Sequence, residues 1–145
     1  MNMLQKLNFK IPNKKVVLTV VIIIAIALIS LLINTGKAKK RNTQRELDVT
    51  VLSSAVYQYS IDNNRLLPKT VTSEPVEICA KNNCGPLVDL SVLKLNDKYL
   101  SPLPMDPQGP INPNGTGYFI QKGARNRIII SAPRAEKGAV ISVIR

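Results

Sequence analysis

An uninterrupted apolar run near the N-terminus is the strongest pattern in the chain. From Val16 to Ile33 no residue is charged, and only Thr19 and Ser30 are polar. At about 1.5 Å per residue, a helix of this length extends about 27 Å, close to the hydrocarbon thickness of a bilayer. The pattern predicts a transmembrane helix over residues 16–36, preceded by a basic cytoplasmic tail over residues 1–15.

A second helical pattern follows, with apolar residues on one face only. The helix is predicted over residues 37–62, and Gly36 before it is expected at most to bend the chain. Spacings of three and four residues are typical of a helix with one buried face. The predicted core stripe consists of Val49, Leu52, Ala55, Val56 and Tyr59.

The remaining chain has the composition of loops and short strands. Residues 67–86 contain three prolines and both cysteines, and they are predicted to form a long cross-linked loop. A short helix is expected within Leu87–Tyr99. Short apolar runs predict a β-sheet over residues 117–144. The expected fold class is α+β, a long N-terminal helix packed on a small antiparallel sheet, with residues 37–145 forming an exported domain.

Cys79 and Cys84 are the only cysteines, and the chain has no histidine. One cysteine pair alone cannot complete a tetrahedral zinc site within a single chain. A local disulfide is the preferred interpretation, and it requires an oxidising compartment. We therefore expect the C-terminal domain outside the cell and the N-terminus in the cytoplasm, an orientation that the basic residues on both flanks leave open.

The net charge of +11 is concentrated around the apolar run. Residues 1–45 hold nine basic side chains and no acidic one, whereas residues 46–145 hold eleven basic and nine acidic side chains. Lys and Arg beside an apolar segment favour lipid headgroups. Membrane lipid is thus the expected partner of the basic residues. Nucleic acid is not an expected partner, because Arg125, Arg127 and Arg134 are the only candidates for a basic face.

No catalytic arrangement is recognisable, and the protein is not expected to be an enzyme. Ser53 and Ser54 lie within a predicted helix without a histidine to act as base. Asp106, with Asn112 and Asn114 nearby, is a candidate calcium ligand, although one carboxylate in a proline-rich loop makes a weak site. We expect no metal and no cofactor.

Several segments, in this order, resemble bacterial type IV pilins and type II secretion pseudopilins. The pilin-like family has a basic leader, an apolar helix, an amphipathic continuation, a loop and a small antiparallel sheet. The segments that carry the resemblance are Lys39–Leu47, Tyr57-Gln58-Tyr59, Asp62-Asn63, Tyr99–Pro107 with its Leu-Pro-x-Asp-Pro turn, and Asn114–Tyr118.

The chain departs from the family at the prepilin cleavage site. The family has Gly or Ala before the cleaved bond and a glutamate five residues after it. Lys14 and Lys15 stand at the cleavage point and Thr19 at the glutamate position. Cleavage there is not expected, because a lysine does not fit a pocket selective for a small residue. We expect a retained anchor.

The resemblance implies a structural subunit of a type IV pilus-like or type II secretion pseudopilus-like filament, minor or divergent. The expected partners are other pilin-like subunits, contacted through the transmembrane helix. The alternative is an uncleaved single-pass anchor that displays a binding domain outside the cell.

Overall fold

The computed structural model describes residues 13–145, apart from the side chain of Asp97. Most of the predicted basic tail, up to residue 12, lies outside the described residues. The chain divides into two compact units, Met1–Lys37 and Ala38–Arg145. A single helix, α1, comprises Lys14–Asp62 and belongs to both. Gly36 lies within this helix, because one glycine lowers helix propensity by only about 1 kcal/mol relative to alanine.

The end of α1 is closed by residues in a left-handed conformation. Asn64 and Arg65 have φ values of 56° and 62°. The amide of Arg65 donates to the carbonyl of Ser60 at 2.7 Å, and the Asn63 side chain donates to the carbonyl of Tyr59 at 2.8 Å. These bonds satisfy the last carbonyls of the helix and turn the chain away from its axis.

The second unit contains a four-stranded antiparallel sheet. Its strands are β1 (Val76–Cys79), β2 (Gly115–Lys122), β3 (Ile128–Ser131) and β4 (Ser142–Ile144), and their spatial order follows the sequence. The register between β1 and β2 shifts between Glu77 and Cys79. Two 3₁₀ segments, Ser91–Asp97 and Ala124–Asn126, connect strands. The fold class is α+β, as predicted.

The core lies between α1 and the sheet. On the helix, Val49, Leu52 and Val56 are fully buried and Ala55 nearly so, whereas Tyr59 is half-buried and packs edge-on against Tyr99 at a centroid distance of 5.6 Å. The residues that pack against this face include Ile78, Val88, Leu90, Leu93, Tyr118, Ile120, Ile128 and Ile130.

Two sequence predictions need correction. The segment 67–86 is not loop throughout, since β1 lies within it and pairs with β2. The sheet therefore begins at Val76, well before residue 117. The prediction missed β1 because Glu77, a charged residue, occupies a buried position in a strand of only four residues. The short helix expected in Leu87–Tyr99 is a 3₁₀ segment interrupted at Leu95 and Asn96.

Candidate functional site

The apolar half of α1 is exposed on every side. All large apolar side chains from Val16 to Ile33 are between 43% and 72% exposed. The 18-residue window of highest hydropathy has a mean hydropathy of 3.4, and none of it is buried. By length and composition this helix is able to span a membrane. Exposed apolar surface of this size needs lipid or another apolar protein surface to cover it.

The hydroxyl side chains within this segment and just after it form hydrogen bonds inside the helix. The hydroxyls of Thr19, Ser30 and Thr35 each donate to a main-chain carbonyl three or four residues earlier, at 2.8–2.9 Å. Such bonds allow hydroxyl residues in an apolar environment. Lys14 and Lys15 lie in the first turn of α1 and are exposed. The carbonyl of Asn13 accepts hydrogen bonds from the amides of Val16 and Val17.

Cys79 and Cys84 form a disulfide with a Cα–Cα distance of 5.4 Å. Cys79 is the last residue of β1, and Cys84 lies in the loop that follows. The amide of Cys79 also donates to the carbonyl of Val88 at 2.9 Å. The disulfide therefore closes the loop that returns the chain alongside β1.

A buried ionic cluster joins the second half of α1 to two distant loops. Its centre is Arg45, which is fully buried and donates to both carboxylate oxygens of Asp106, at 2.7 and 3.0 Å. The same guanidinium donates to Glu136 at 3.2 Å, and to side-chain oxygens of Asn42 and Gln108 at 2.9 and 2.7 Å. We call these residues, together with Arg41, the Arg45 cluster. All three guanidinium nitrogens of Arg45 are paired, which offsets the cost of burying its charge.

Arg41 extends the cluster toward the surface. It forms a two-bond pair with Glu136, with both distances at 2.6 Å. Because the Arg41 hydrogen bonds and the adjacent Arg45 favour the ionised form, the pKa of Glu136 is lowered from 4.5 to about 2. The hydrogen bond to Asp106, with that to Glu136, raises the pKa of the Arg45 guanidinium against the effect of burial. Glu136 is thus ionised at neutral pH, where it pairs with Arg41 and Arg45.

The calcium interpretation of Asp106 does not fit this geometry. Arg45 binds both carboxylate oxygens, and one of them also accepts from the amide of Gln108 at 2.8 Å. A cation at the same oxygens would face the arginine charge directly. Within residues 13–145, no group of three or more His, Cys, Asp or Glu side chains is placed to hold a metal ion.

A second buried carboxylate holds the proline-rich loop before β2. Glu77 accepts hydrogen bonds from the amides of Ile111, Asn112 and Gly117, at 2.7–3.0 Å. A Cβ at Gly115 would overlap the Glu77 carboxylate, so a side chain there would require the carboxylate to move away from its amide donors. The Asn114–Gly117 segment therefore leads into β2, and its glycine at position 115 lets the main chain pass close to the Glu77 carboxylate.

Tyr118 connects β2 to α1 in the core. Its hydroxyl donates to Asp48 at 2.5 Å, and the other oxygen of Asp48 accepts from Gln44 at 2.8 Å. Burial, together with the Asp48 carboxylate, raises the pKa of the Tyr118 hydroxyl. This tyrosine remains a neutral donor and aligns β2 with the helix.

The sequence interpretation assigned Arg45 to the basic flank of the membrane segment, but Arg45 is buried in the folded domain. The helical spacing contains the missing signal. Arg45 precedes Val49 by four residues and Leu52 by seven, which puts it on the same face as the core stripe. Glu136, far along the chain, offers no comparable signal.

Among the arginines proposed for a basic face, Arg134 is engaged elsewhere. It donates to the carbonyls of Gln108, Gly109 and Pro110 at 2.8–3.3 Å. Arg125 and Arg127 lie together near the turn between β2 and β3.

No protein-family model matches the chain, and no curated protein or solved structure is significantly similar to it.

Proposed function

We propose that this protein is a structural subunit of a cell-surface filament of the type IV pilus or type II secretion pseudopilus kind. The observation that carries the proposal is the exposed apolar segment from Val16 to Ile33, on the same helix whose later residues form the core of an α+β domain. In a filament, copies of that segment would cover one another, and before assembly lipid would cover it.

The proposed location is the cell membrane, with the N-terminus in the cytoplasm and the Ala38–Arg145 unit outside. The Cys79–Cys84 disulfide supports an oxidising environment for that unit. The proposed role is structural and not enzymatic, since the buried side chains of Arg45, Asp106 and Asp48 are engaged in hydrogen bonds within the fold.

Cysteine cross-linking in native membranes tests the proposal. Single cysteines are introduced at each position from 22 to 29. Because Cys79 and Cys84 are bonded to each other, the introduced thiol is the one that can form an intermolecular cross-link. Packed helices should give cross-linked dimers whose yield peaks every three to four residues. Val140→Cys, at a position 92% exposed in the second unit, is the control for random collision. Uniform yields at the level of the control would refute subunit packing through this helix.

The alternative function is an uncleaved anchor that displays a binding domain. Lys14 and Lys15 at the start of α1 favour it, because a helix withdrawn into a filament would take their charges through the membrane. The intact mass of membrane-extracted protein separates the two. A chain that retains both lysines and never cross-links is the anchor. A chain that has lost about its first 14 or 15 residues supports the filament subunit.

A further inference from the structure

An arginine-lined pocket lies where the end of α1 meets the β2–β3 turn and the end of β4. Its cavity volume is about 180 Å³, and its walls include Arg65, Arg125, Arg127 and Arg145. Among the residues that the structure describes, no aspartate or glutamate lines it. Like charges gathered around one cavity repel each other, and a bound anion would relieve that repulsion.

Three of these arginines have no carboxylate partner among the described residues. Within the described part of the chain, Arg65, Arg125 and Arg127 form no salt bridge with a carboxylate. The guanidinium of Arg127 makes only a long bond, at 3.4 Å, to the carbonyl of Ala124. Arg145 is partly engaged, since it donates to the Ser54 hydroxyl at 2.9 Å and lies over the Tyr57 ring at 5.4 Å.

The backbone that presents these side chains is fixed. The Asn126 side chain donates to the carbonyl of Arg65 at 2.7 Å, which ties the turn to the end of α1. The amide of Gly123 donates to the carbonyl of Arg127 at 2.7 Å. Arg145 and Ile128 exchange two main-chain bonds, at 2.8 and 3.0 Å. The pocket is therefore held by contacts between three separate segments of the chain.

Unusual backbone conformations coincide with the pocket. Arg65, Arg125 and Asn126 have φ values of 62°, 57° and 62°. These values lie in the left-handed region, which residues other than glycine rarely adopt. At Arg65 this conformation also closes the end of α1. These conformations direct two arginines of different loops to the walls of one cavity.

From this geometry we propose that the pocket binds a compact anion that carries two phosphate groups, a diphosphate. Each guanidinium presents a planar pair of donors that matches two oxygens of a phosphate. Three unpaired positive charges match two phosphate groups more closely than one, which carries about −1.5 to −2 charges at pH 7. The charges surround a single cavity and do not extend along a face, so a small ligand fits better than a nucleic-acid backbone. The diphosphate is either free or part of a nucleoside diphosphate, for which Tyr57 offers an aromatic surface at the rim.

The test uses the full chain in uncharged detergent micelles, with nitrogen-15 labelling and fixed ionic strength. Inorganic pyrophosphate is titrated while the guanidinium N–H signals are followed. The expected result is saturable shifts at Arg65, Arg125 and Arg127 and none at Arg134, which is not part of the pocket lining and whose Nη1 already donates to main-chain carbonyls. Adenosine diphosphate in a parallel titration distinguishes the sources, because tighter binding with a shifted Tyr57 signal assigns the nucleoside form.

A pair of double variants gives the matched control. Arg125→Gln with Arg127→Gln should weaken pyrophosphate binding by at least about tenfold, since charge-assisted hydrogen bonds are lost. Lys69→Gln with Lys81→Gln removes the same charge from exposed positions outside the pocket and should weaken binding less than about twofold. Equal weakening in both, absence of saturation, or a single-stranded oligonucleotide that binds through these arginines where pyrophosphate does not, would overturn the proposal.

Discussion

Arg45 and Asp106, 61 residues apart in sequence, form a two-bond ion pair with both side chains fully buried. The pair fixes the Leu-Pro-x-Asp-Pro turn against α1, and Glu136 brings the segment between β3 and β4 to the same point. Three parts of the Ala38–Arg145 unit thus meet at one guanidinium.

Replacing that guanidinium should destabilise the domain strongly. Arg45→Met keeps much of the volume but leaves Asp106 buried without a counter-charge, and the free energy of unfolding should fall by about 3–5 kcal/mol. Denaturant unfolding of the full chain in detergent, followed by near-ultraviolet circular dichroism, measures the change. Lys40→Met, on an exposed position of the same helix, should stay within about 0.5 kcal/mol of the parent protein. A similar loss in both variants would show that Arg45 acts only through helix charge.

Acid should remove the contribution of Glu136 in a defined range. Because the pKa of Glu136 is about 2 in the folded protein and 4.5 in the unfolded chain, its stabilisation is present above pH 4.5 and is lost as the pH falls toward 2. Melting temperatures of the parent protein and of Glu136→Gln should therefore differ most above pH 4.5 and converge near pH 2. A difference that does not change with pH would contradict the ion pair with Arg41.

Truncation of the helix stripe should open a cavity. Leu52 is fully buried, and Leu52→Ala should lower the free energy of unfolding by about 2–5 kcal/mol. The neighbouring Val51 is 46% exposed, and Val51→Ala should change stability by less than about 1 kcal/mol. Equal effects would mean that the buried face has been assigned wrongly.

Alanine substitutions at two glycines should distinguish the cost of backbone strain from the cost of a steric clash. Gly117 and Gly138 have φ values of +88° and +73°, but only a Cβ at Gly117 meets a neighbour, the Asp106 Cβ at 2.5 Å. Gly138→Ala should lose about 1–2 kcal/mol from the left-handed conformation alone. Gly117→Ala should lose more, because Asp106 must move away from Arg45. Identical losses in thermal unfolding would show that the turn shifts without resistance.

Local sequence patterns were enough to predict the main elements. The apolar run from Val16 to Ile33 and the stripe from Val49 to Tyr59 belong to α1. The predicted sheet segment, residues 117–144, contains β3, β4 and most of β2. These patterns are readable because side-chain spacing along a helix or strand depends only on neighbours in sequence. The cysteine pair is likewise close in sequence, and its bond needed no long-range information.

The tertiary structure alone decided which charges are structural and which remain available. Arg45 and Arg125 are both arginines within or beside basic segments, yet one is buried against Asp106 and the other lines a pocket without a carboxylate. Strand β1 also depends on tertiary contacts, since the amides of Ile111 and Gly117 donate to the Glu77 carboxylate and allow its burial. A charge becomes stable in a core, or available at a surface, according to partners that the fold brings from distant parts of the chain.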